Sequence, residues 1–471
     1  MGQGSHPRGD APIRFGSNGW RGILGEDFTF PRLRAVLDAV GRWLSQDGVG
    51  GEVIVAHDTR FLGERMAVEA AAVLHAHGQR PLLAQGAVPT PVVARAIRRR
   101  RSRAGLVFTA SHNPPEYQGL KILDASGGSL GSDQTRRIEA LIMAPRAGAC
   151  AVAPSVRSLD LTAPYRRDLL AVVDRAPIAR ARLAVSYDAM HGAGAPVLAG
   201  ALTSLGARVQ LLRGEPDPRF GGSAPDPVPE RLRLLSGTLR AARGRCLGLA
   251  TDGDADRIAA VDDDGRVLSE TQLVALLVDH LARAGRIRRG IALSIAAGSL
   301  VERVAKAHGL AVTRHPIGFR HLSRELCAGT ADAAADESGG FALGRFSADK
   351  DGILSGCLLA ELAATLRAPL RKRLAELERL HGRSACGRGA LPAGPRAQER
   401  LERLRAAPPE RVGEHPVREA GAEDGLRLVF EDGFLYLRAS GTEPVLRVYA
   451  EARSPRELAR RLAAGARLLS V

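Results

Sequence analysis

Two segments of this chain carry residue types that together could handle a phosphoryl group. Thr109-Ala110-Ser111-His112-Asn113-Pro114-Pro115 follows directly on the apolar run Gly105-Leu106-Val107-Phe108. A strand that ends in a polar, proline-braked loop presents the Ser111 hydroxyl at its tip. Far along the chain comes Asp252-Gly253-Asp254-Ala255-Asp256-Arg257. Three carboxylates spaced two apart can aim oxygens at one hard cation if the backbone turns around it, and Gly253 and Ala255 keep the intervening positions small. A calcium loop of the EF-hand type would need glycine and glutamate where Arg257 and Asp263 stand. No G-x-S-x-G elbow surrounds Ser111, which argues against a serine-hydrolase triad built with His112. A phosphoserine at position 111 beside a magnesium ion on Asp252, Asp254 and Asp256 is the chemistry these two segments suggest.

Further segments could serve it. Arg438-Ala439-Ser440-Gly441-Thr442-Glu443-Pro444 offers a guanidinium, two hydroxyls and free amides around a glycine turn, a cradle for phosphate with Arg447 as a second fork. Arg21 stands between glycines in Asn18-Gly19-Trp20-Arg21-Gly22, and Lys121 follows Ser111 in Gly119-Leu120-Lys121. Both cations could stabilise charge on a transferring group. Asp336-Glu337-Ser338-Gly339-Gly340 suits sugar hydroxyls, and Pro316-Ile317-Gly318-Phe319-Arg320 is a weaker candidate for a substrate loop. Taken singly, each segment has an ordinary reading: a turn serine, a solvated acidic turn, a surface arginine.

Composition narrows the field. The chain has 471 residues, enough for several domains, and 45% hydrophobic residues, as in a soluble globular protein. No apolar stretch is long enough to span a membrane. The start, Met1-Gly2-Gln3-Gly4-Ser5-His6, lacks the apolar core of a secretory signal and has histidine where a myristoylation pattern needs serine or threonine. Cys150, Cys246, Cys327, Cys357 and Cys386 are scattered and odd in number, which argues for a reducing compartment and against a disulfide framework. A cytoplasmic location is the expectation. The formal charge of +16 could suggest nucleic acid, but the basic residues are overwhelmingly arginine and lack interleaved aromatics in the run Arg98-Arg99-Arg100-Arg101-Ser102-Arg103. That run reads as a solvated helix end, with anion binding as the alternative, and no nucleic-acid partner is expected.

The elements that must position these residues alternate between helix and strand, the mark of α/β layers. Leu33, Val36, Leu37, Val40 and Leu44 follow a helical period. Residues 52–56, 80–84 and 105–108 read as strands, and 64–77 as a helix. Residues 183–187 and 246–250 are strands leading to His191-Gly192 and to the Asp loop. Residues 291–295 and 311–313 are further strands, and 370–380 is a helix that leads to a Gly/Pro-rich linker over 386–395. Residues 426–430 and 434–438 flank Glu431-Asp432-Gly433 as a hairpin, 445–450 is another strand, and 455–469 a closing helix. The predicted architecture is three similar mixed α/β domains, over 10–150, 155–266 and 267–380, with a C-terminal α+β domain over 392–471.

In combination and in order, these motifs resemble the α-D-phosphohexomutases, the family of phosphoglucomutase, phosphomannomutase and phosphoglucosamine mutase. The resemblance spans roughly residues 13 to 452. It implies four domains around a central cleft, one Mg²⁺ per chain held by Ser111, Asp252, Asp254 and Asp256, and catalytic roles for Ser111, Arg21, Lys121, His112 and Arg257. It implies substrate contacts at Gly318, Phe319, Arg320, Asp336 and Ser338, and at Arg438, Ser440, Gly441, Thr442 and Arg447. Phosphorylated Ser111 would convert a hexose 1-phosphate into a hexose 6-phosphate through a hexose 1,6-bisphosphate, which also serves as activator. The phrases Gly19-Trp20-Arg21-Gly22 and Pro115-Glu116-Tyr117 resemble the glucose/mannose branch more than the glucosamine branch.

Some positions depart from the family pattern. Ala255 stands where glycine is usual, Asn18 where aspartate is common, and Asp336 where glutamate is usual. Gly340 and Phe346 occupy the region in which members carry a histidine, and Lys350-Asp351-Gly352 looks family-like without a clear role. The rival functions are a phosphoglucosamine mutase, a phosphatase that hydrolyses its phosphoserine, and a degenerate phosphosugar-binding homologue. The expected partners are phosphorylated hexoses, with no membrane, and the expected state is a monomer or weak homodimer.

Overall fold

The computed structural model describes residues 12–16, 19–142, 156–440 and 445–470. The chain divides into two compact units, Met1–Leu268 with Gly340–Pro369, and Ser269–Gly339 with Leu370–Val471.

The first unit contains two sheets. In one, the strands run in the order Trp20–Ile23, Tyr117–Leu123, Ala104–Phe108, Glu52–His57, Arg80–Ala84, Arg157–Leu159. Glu52–His57 pairs in parallel with both of its neighbours, while Tyr117–Leu123 is antiparallel to both of its own. The helix Phe30–Leu44 buries Leu33, Val36, Leu37, Val40 and Leu44 against this sheet, the stripe its period predicts. Arg157–Leu159 lies beyond the boundary expected near 150, yet it extends this sheet by pairing with Arg80–Ala84.

The second sheet has the order Ile258–Val261, Cys246–Thr251, Ala184–Asp188, Arg208–Leu212. The helix Gly352–Leu366 packs on it although it lies within the sequence range expected for the third domain. That helix is apolar on every side and so needs burial all round. At its first residue a Cβ would come 2.6 Å from Arg257 O, a space only glycine fits.

The arginine run at the end of the helix Thr90–Arg100 is tied down rather than merely solvated. Arg98 donates to Gly344 O, Arg99 to Asp168, Arg100 to Glu52 and Arg103 to Asp47.

The second unit holds the parallel strands Ala311–His315, Gly290–Ser294 and Ala333–Ala335, in that order. A five-stranded sheet in this unit is antiparallel, with the order Ala385–Pro392, Val445–Ala452, Gly433–Ala439, Leu426–Phe430, Glu419–Gly421. The predicted hairpin is present, with Phe430 opposite Gly433. The linker expected over 386–395 is instead mostly a strand, paired with Val445–Ala452 along its whole length. Its small residues lack intrinsic strand preference, but an edge strand needs only backbone pairing, tolerates its terminal proline, and lets Leu458 and Leu462 pack close over Gly387. Among the described residues no single helix is long and apolar enough to cross a membrane.

Candidate active site

In each sheet of the first unit, functional loops leave the carboxyl ends of neighbouring parallel strands, where α/β proteins place ligands. His57 and Phe108 are register partners, so the loops that follow them, carrying Asp58-Thr59-Arg60 and Ser111, emerge side by side. In the other sheet Ala184–Asp188 and Cys246–Thr251 run in parallel, and the second leads into the Asp loop.

Within this unit the structure brings the serine and the aspartates together. Ser111 Oγ donates to Asp252 Oδ2 at 2.6 Å, and Ser111 is 2% exposed. Gly253 makes the approach possible, because a Cβ there would lie 2.7 Å from Ser111 O. Ser111 and Ala255 both have φ of 53°, in the left-handed region that L-residues enter at a cost. A glycine at position 255 would adopt this conformation freely, and Ala255 adopts it within a fully buried loop. His112 Nδ1 lies 3.4 Å from Ser111 Oγ.

The aspartate trio is buried, and one carboxylate oxygen from each lies within 4.8 Å of the others. Lys121 Nζ donates to Asp254 Oδ2 at 2.5 Å and to Asp256 Oδ2 at 2.6 Å. Arg257 reaches Asp252 through its backbone N–H at 3.2 Å and its Nε at 3.3 Å. Thr90 Oγ1 donates to Asp254 as well. Burial pushes the Asp252 carboxyl well above the usual carboxylate range, and Asp256 and Asp254 add to the rise. Burial acts the same way on Asp256, but Lys121 and Lys350 outweigh it and bring that carboxyl down to about 2. Burial would lower the Lys121 pKa, yet the two carboxylates it bridges hold it above the usual lysine value.

The donor set fits a hard divalent cation. Oδ1 of Asp254 and Oδ1 of Asp256 are buried without a hydrogen-bond partner, which is costly unless a cation uses them. A second acidic group, Asp262-Asp263-Asp264, lies at a partly exposed turn without such orphaned oxygens.

Arg21 sits on the strand Trp20–Ile23 opposite Gly119, and its guanidinium donates to Asn113 Oδ1 at 2.6 Å in the serine loop. Lys350, to which the sequence assigns no role, lies 3.4 Å from Asp256 Oδ2. It follows the strand Phe341–Leu343 and precedes the helix Gly352–Leu366, so the packing of that helix delivers it to the loop. Arg60 is absent from the residues that the sequence singles out. Its only sequence signal is its place just after a strand parallel to the one that precedes Ser111.

The remaining expected residues lie in the second unit. Arg438 and Arg447 are direct cross-strand partners. Like charges so opposed repel, and an anion between them removes that cost. Arg438 also lies 3.6 Å from Asp424, whose Oδ2 accepts from Ile317 N in the Pro316–Arg320 segment at 3.2 Å. Ser440 donates its backbone N–H to Val445 O. Gly441 and Thr442 lie outside the described residues, as does Asn18. Gly318, with φ of 121°, precedes the helix Phe319–Ala328, and Arg320 directs its Nε to His321. Phe319, expected at the substrate, is 1% exposed and anchors the start of this helix in the core. Asp336 Oδ1 accepts from the Ser338 backbone N–H at 2.9 Å and from its hydroxyl at 2.7 Å, folding that loop on itself. Beside it, Glu337 accepts from Ser294 Oγ at 2.6 Å, and burial and Asp336 raise its pKa.

Comparison with known proteins agrees with this arrangement along the chain. Models of the phosphoglucomutase/phosphomannomutase α/β/α domains I, II and III match residues 12–147, 163–265 and 269–380, and the model of the family's C-terminal domain matches 394–468. A phosphoglucomutase/phosphomannomutase of Thermococcus kodakarensis is 29% identical over 97% of this chain and 98% of its own. A phosphoglucosamine mutase of a Synechococcus species is 31% identical over 95% and 93%. The crystal structure of a Thermus thermophilus protein, provisionally described as a phosphomannomutase, superposes with a TM-score of 0.86 at 33% identity, covering 98% of this chain and 99% of that one. The chain belongs to the phosphoglucomutase/phosphomannomutase family, within the α-D-phosphohexomutases, and is an intramolecular phosphotransferase with that family's three α/β/α domains and C-terminal domain.

Proposed function

We propose that this phosphotransferase interconverts hexose 1-phosphate and hexose 6-phosphate, with glucose or mannose as the sugar, through phosphorylated Ser111. The observation that carries the reading is the 2.6 Å bond from Ser111 Oγ to Asp252, in a carboxylate trio with two orphaned oxygens. In the forward half-reaction the Oγ–P bond breaks and a bond forms from phosphorus to a sugar hydroxyl, which gives up its proton. The bisphosphate so formed turns over, and its other phosphoryl group returns to Ser111.

Each residue has a part in that cycle. Asp252, Asp254, Asp256 and Ser111 would hold the magnesium ion, which when bound would offset the charge of the phosphoryl group against the carboxylates. Lys121 stays cationic, offsets Asp254 and Asp256, and keeps their oxygens in place. Arg21, Arg257 and His112 border the serine and stabilise charge on the group being transferred. Arg438 and Arg447, with Ser440, Gly441 and Thr442, would grip the phosphate that is not reacting. Fixing it brings the reacting hydroxyl into line. Asp336 and Ser338 would take the sugar hydroxyls, and Gly318 and Arg320 would border them.

A substrate panel run with Mg²⁺ and a trace of hexose 1,6-bisphosphate tests this. Glucose 1-phosphate or mannose 1-phosphate should yield the 6-phosphate with little free phosphate, and Ser111→Ala should abolish turnover while still binding the sugar phosphate. Free phosphate as the main product would refute the mutase reading in favour of a phosphatase. A second reading, glucosamine phosphate as the substrate, has the support of the Synechococcus relative. Preferential turnover of glucosamine 6-phosphate in the same panel would establish it.

A further inference from the structure

Ser111 has a left-handed backbone and must be held there by its surroundings, since such a conformation persists only where neighbours over-determine it. The residue that holds it is Arg60. Arg60 is buried, 3% exposed, and all four hydrogen bonds of its guanidinium go to carbonyls of the serine loop and the start of the strand that follows it. NH1 donates to Pro114 O at 2.8 Å and Tyr117 O at 2.9 Å, and NH2 to Ser111 O at 2.7 Å and Asn113 O at 2.6 Å. Its charge is matched by Asp58, 3.4 Å from Nε, and its face lies 4.8 Å from the centre of the Phe220 ring.

The same turn grips the loop a second way. Asp58 Oδ2 accepts from Thr109 Oγ1 at 2.5 Å, and that oxygen in turn accepts from the Ser111 backbone N–H at 2.8 Å. Both the N–H and the C=O of the serine are therefore fixed by one closely spaced pair of charges. Thr59, between them, donates to His191 O at 2.9 Å. The loop of His191 is itself joined to the Asp loop, through Ala193 N to Gly253 O at 2.9 Å.

We propose that Asp58-Thr59-Arg60 is a positioning turn that sets Ser111 Oγ against the aspartate trio. It touches neither substrate nor reacting atoms and acts through the backbone of Ser111. The inference rests on Ser111 being the residue that carries the phosphoryl group. Loosening the turn has a specific consequence. A phosphoserine that wanders loses its alignment with the sugar hydroxyl but remains open to water. Attack by water breaks the same Oγ–P bond and yields inorganic phosphate and free serine, so hydrolysis rises relative to transfer.

The test is the ratio of free phosphate to mutase product, measured with turnover per phosphorylated enzyme. Neither quantity changes if a variant merely lowers the folded fraction. Arg60→Met keeps the apolar stem and removes the fork. It should lower kcat per phosphoenzyme by roughly 10²-fold with KM nearly unchanged, and raise the hydrolysis ratio. Arg60→Lys should not restore either, because an ammonium cannot span four carbonyls. Thr109→Val, which removes the second grip alone, should raise the ratio by a smaller amount, and it carries the test if the Arg60 variants do not fold. A parental ratio and rate in folded Arg60→Met, or in Thr109→Val where that variant alone folds, overturns the inference. If Ser111→Ala itself turns over, the underlying assignment of the nucleophile fails instead.

Discussion

Replacing Lys121 by methionine removes a buried ammonium but leaves its shape nearly filled. In the parent, three carboxylates are met by three cations: Lys121 on Asp254 and Asp256, Lys350 at 3.4 Å from Asp256, and Arg257 at 3.3 Å from Asp252. The variant removes the ammonium that Asp254 and Asp256 share, and two hydrogen bonds of 2.5 and 2.6 Å are lost. Removing one partner of a buried pair costs roughly 3–5 kcal/mol, and Lys350 and Arg257 keep this case near the lower figure. Urea unfolding in EDTA should show that loss. Magnesium at about a hundred times its dissociation constant returns about 2.7 kcal/mol to any protein that binds it only when folded. The variant lacks the ammonium that competes for the same oxygens, so it should bind the ion more tightly and gain more than the parent. The gap between the two should therefore narrow when magnesium is added. Equal stability in EDTA, or a gap that magnesium leaves untouched, would refute the picture of Lys121 as the counter-ion of the trio.

Two further predictions concern pH. Burial pushes Asp351 up to about 6, although it caps the helix Gly352–Leu366 through Leu354 N and accepts from the Tyr165 hydroxyl. Its folded pKa exceeds its unfolded one, so its contribution is complete below about pH 4 and is lost as pH rises through 6, a change of about 3 kcal/mol. Asp351→Asn should remove that slope, and an unchanged difference between variant and parent across the window would contradict the assignment. Asp279 behaves in the opposite sense. Burial would raise it, but the Arg373 fork, His308 and Arg283 outweigh burial and bring it down to about 2. Its stabilisation, about 2 kcal/mol, is present above about pH 4 and lost as pH falls through 2. Asp279→Asn should cost that amount at neutral pH, with the deficit shrinking in acid, as urea titrations at each pH would register.

Much of the site is legible in the sequence because its residues come in dense, adjacent runs. Ser111, the Asp trio, Arg21 and Lys121 each sit in a segment whose composition is unusual by itself, and their strands show apolar runs ending in polar turns. Arg60 and Lys350 give no such signal. A lone arginine in a chain rich in arginine acquires meaning only when the fold turns four carbonyls toward it. Lys350 reaches Asp256 only because the helix Gly352–Leu366 packs on the second sheet rather than on its neighbours in sequence. The inward turn of Phe319 is hidden for the same reason, since the sequence marks a loop residue but not which way its ring points. The strand Ala385–Pro392 escapes notice because its partners, not its side chains, make it a strand.

That edge strand bears on how the molecule can be divided. The family's C-terminal domain begins at 394 in this chain, but the sheet it contains is completed by residues that precede it. A fragment cut at 394 would leave Val445–Ala452 with a full row of unpaired amides and carbonyls along one side, a template for self-association. Expression of this portion by itself has to start upstream of Ala385 to yield a monodisperse product rather than a sticky one.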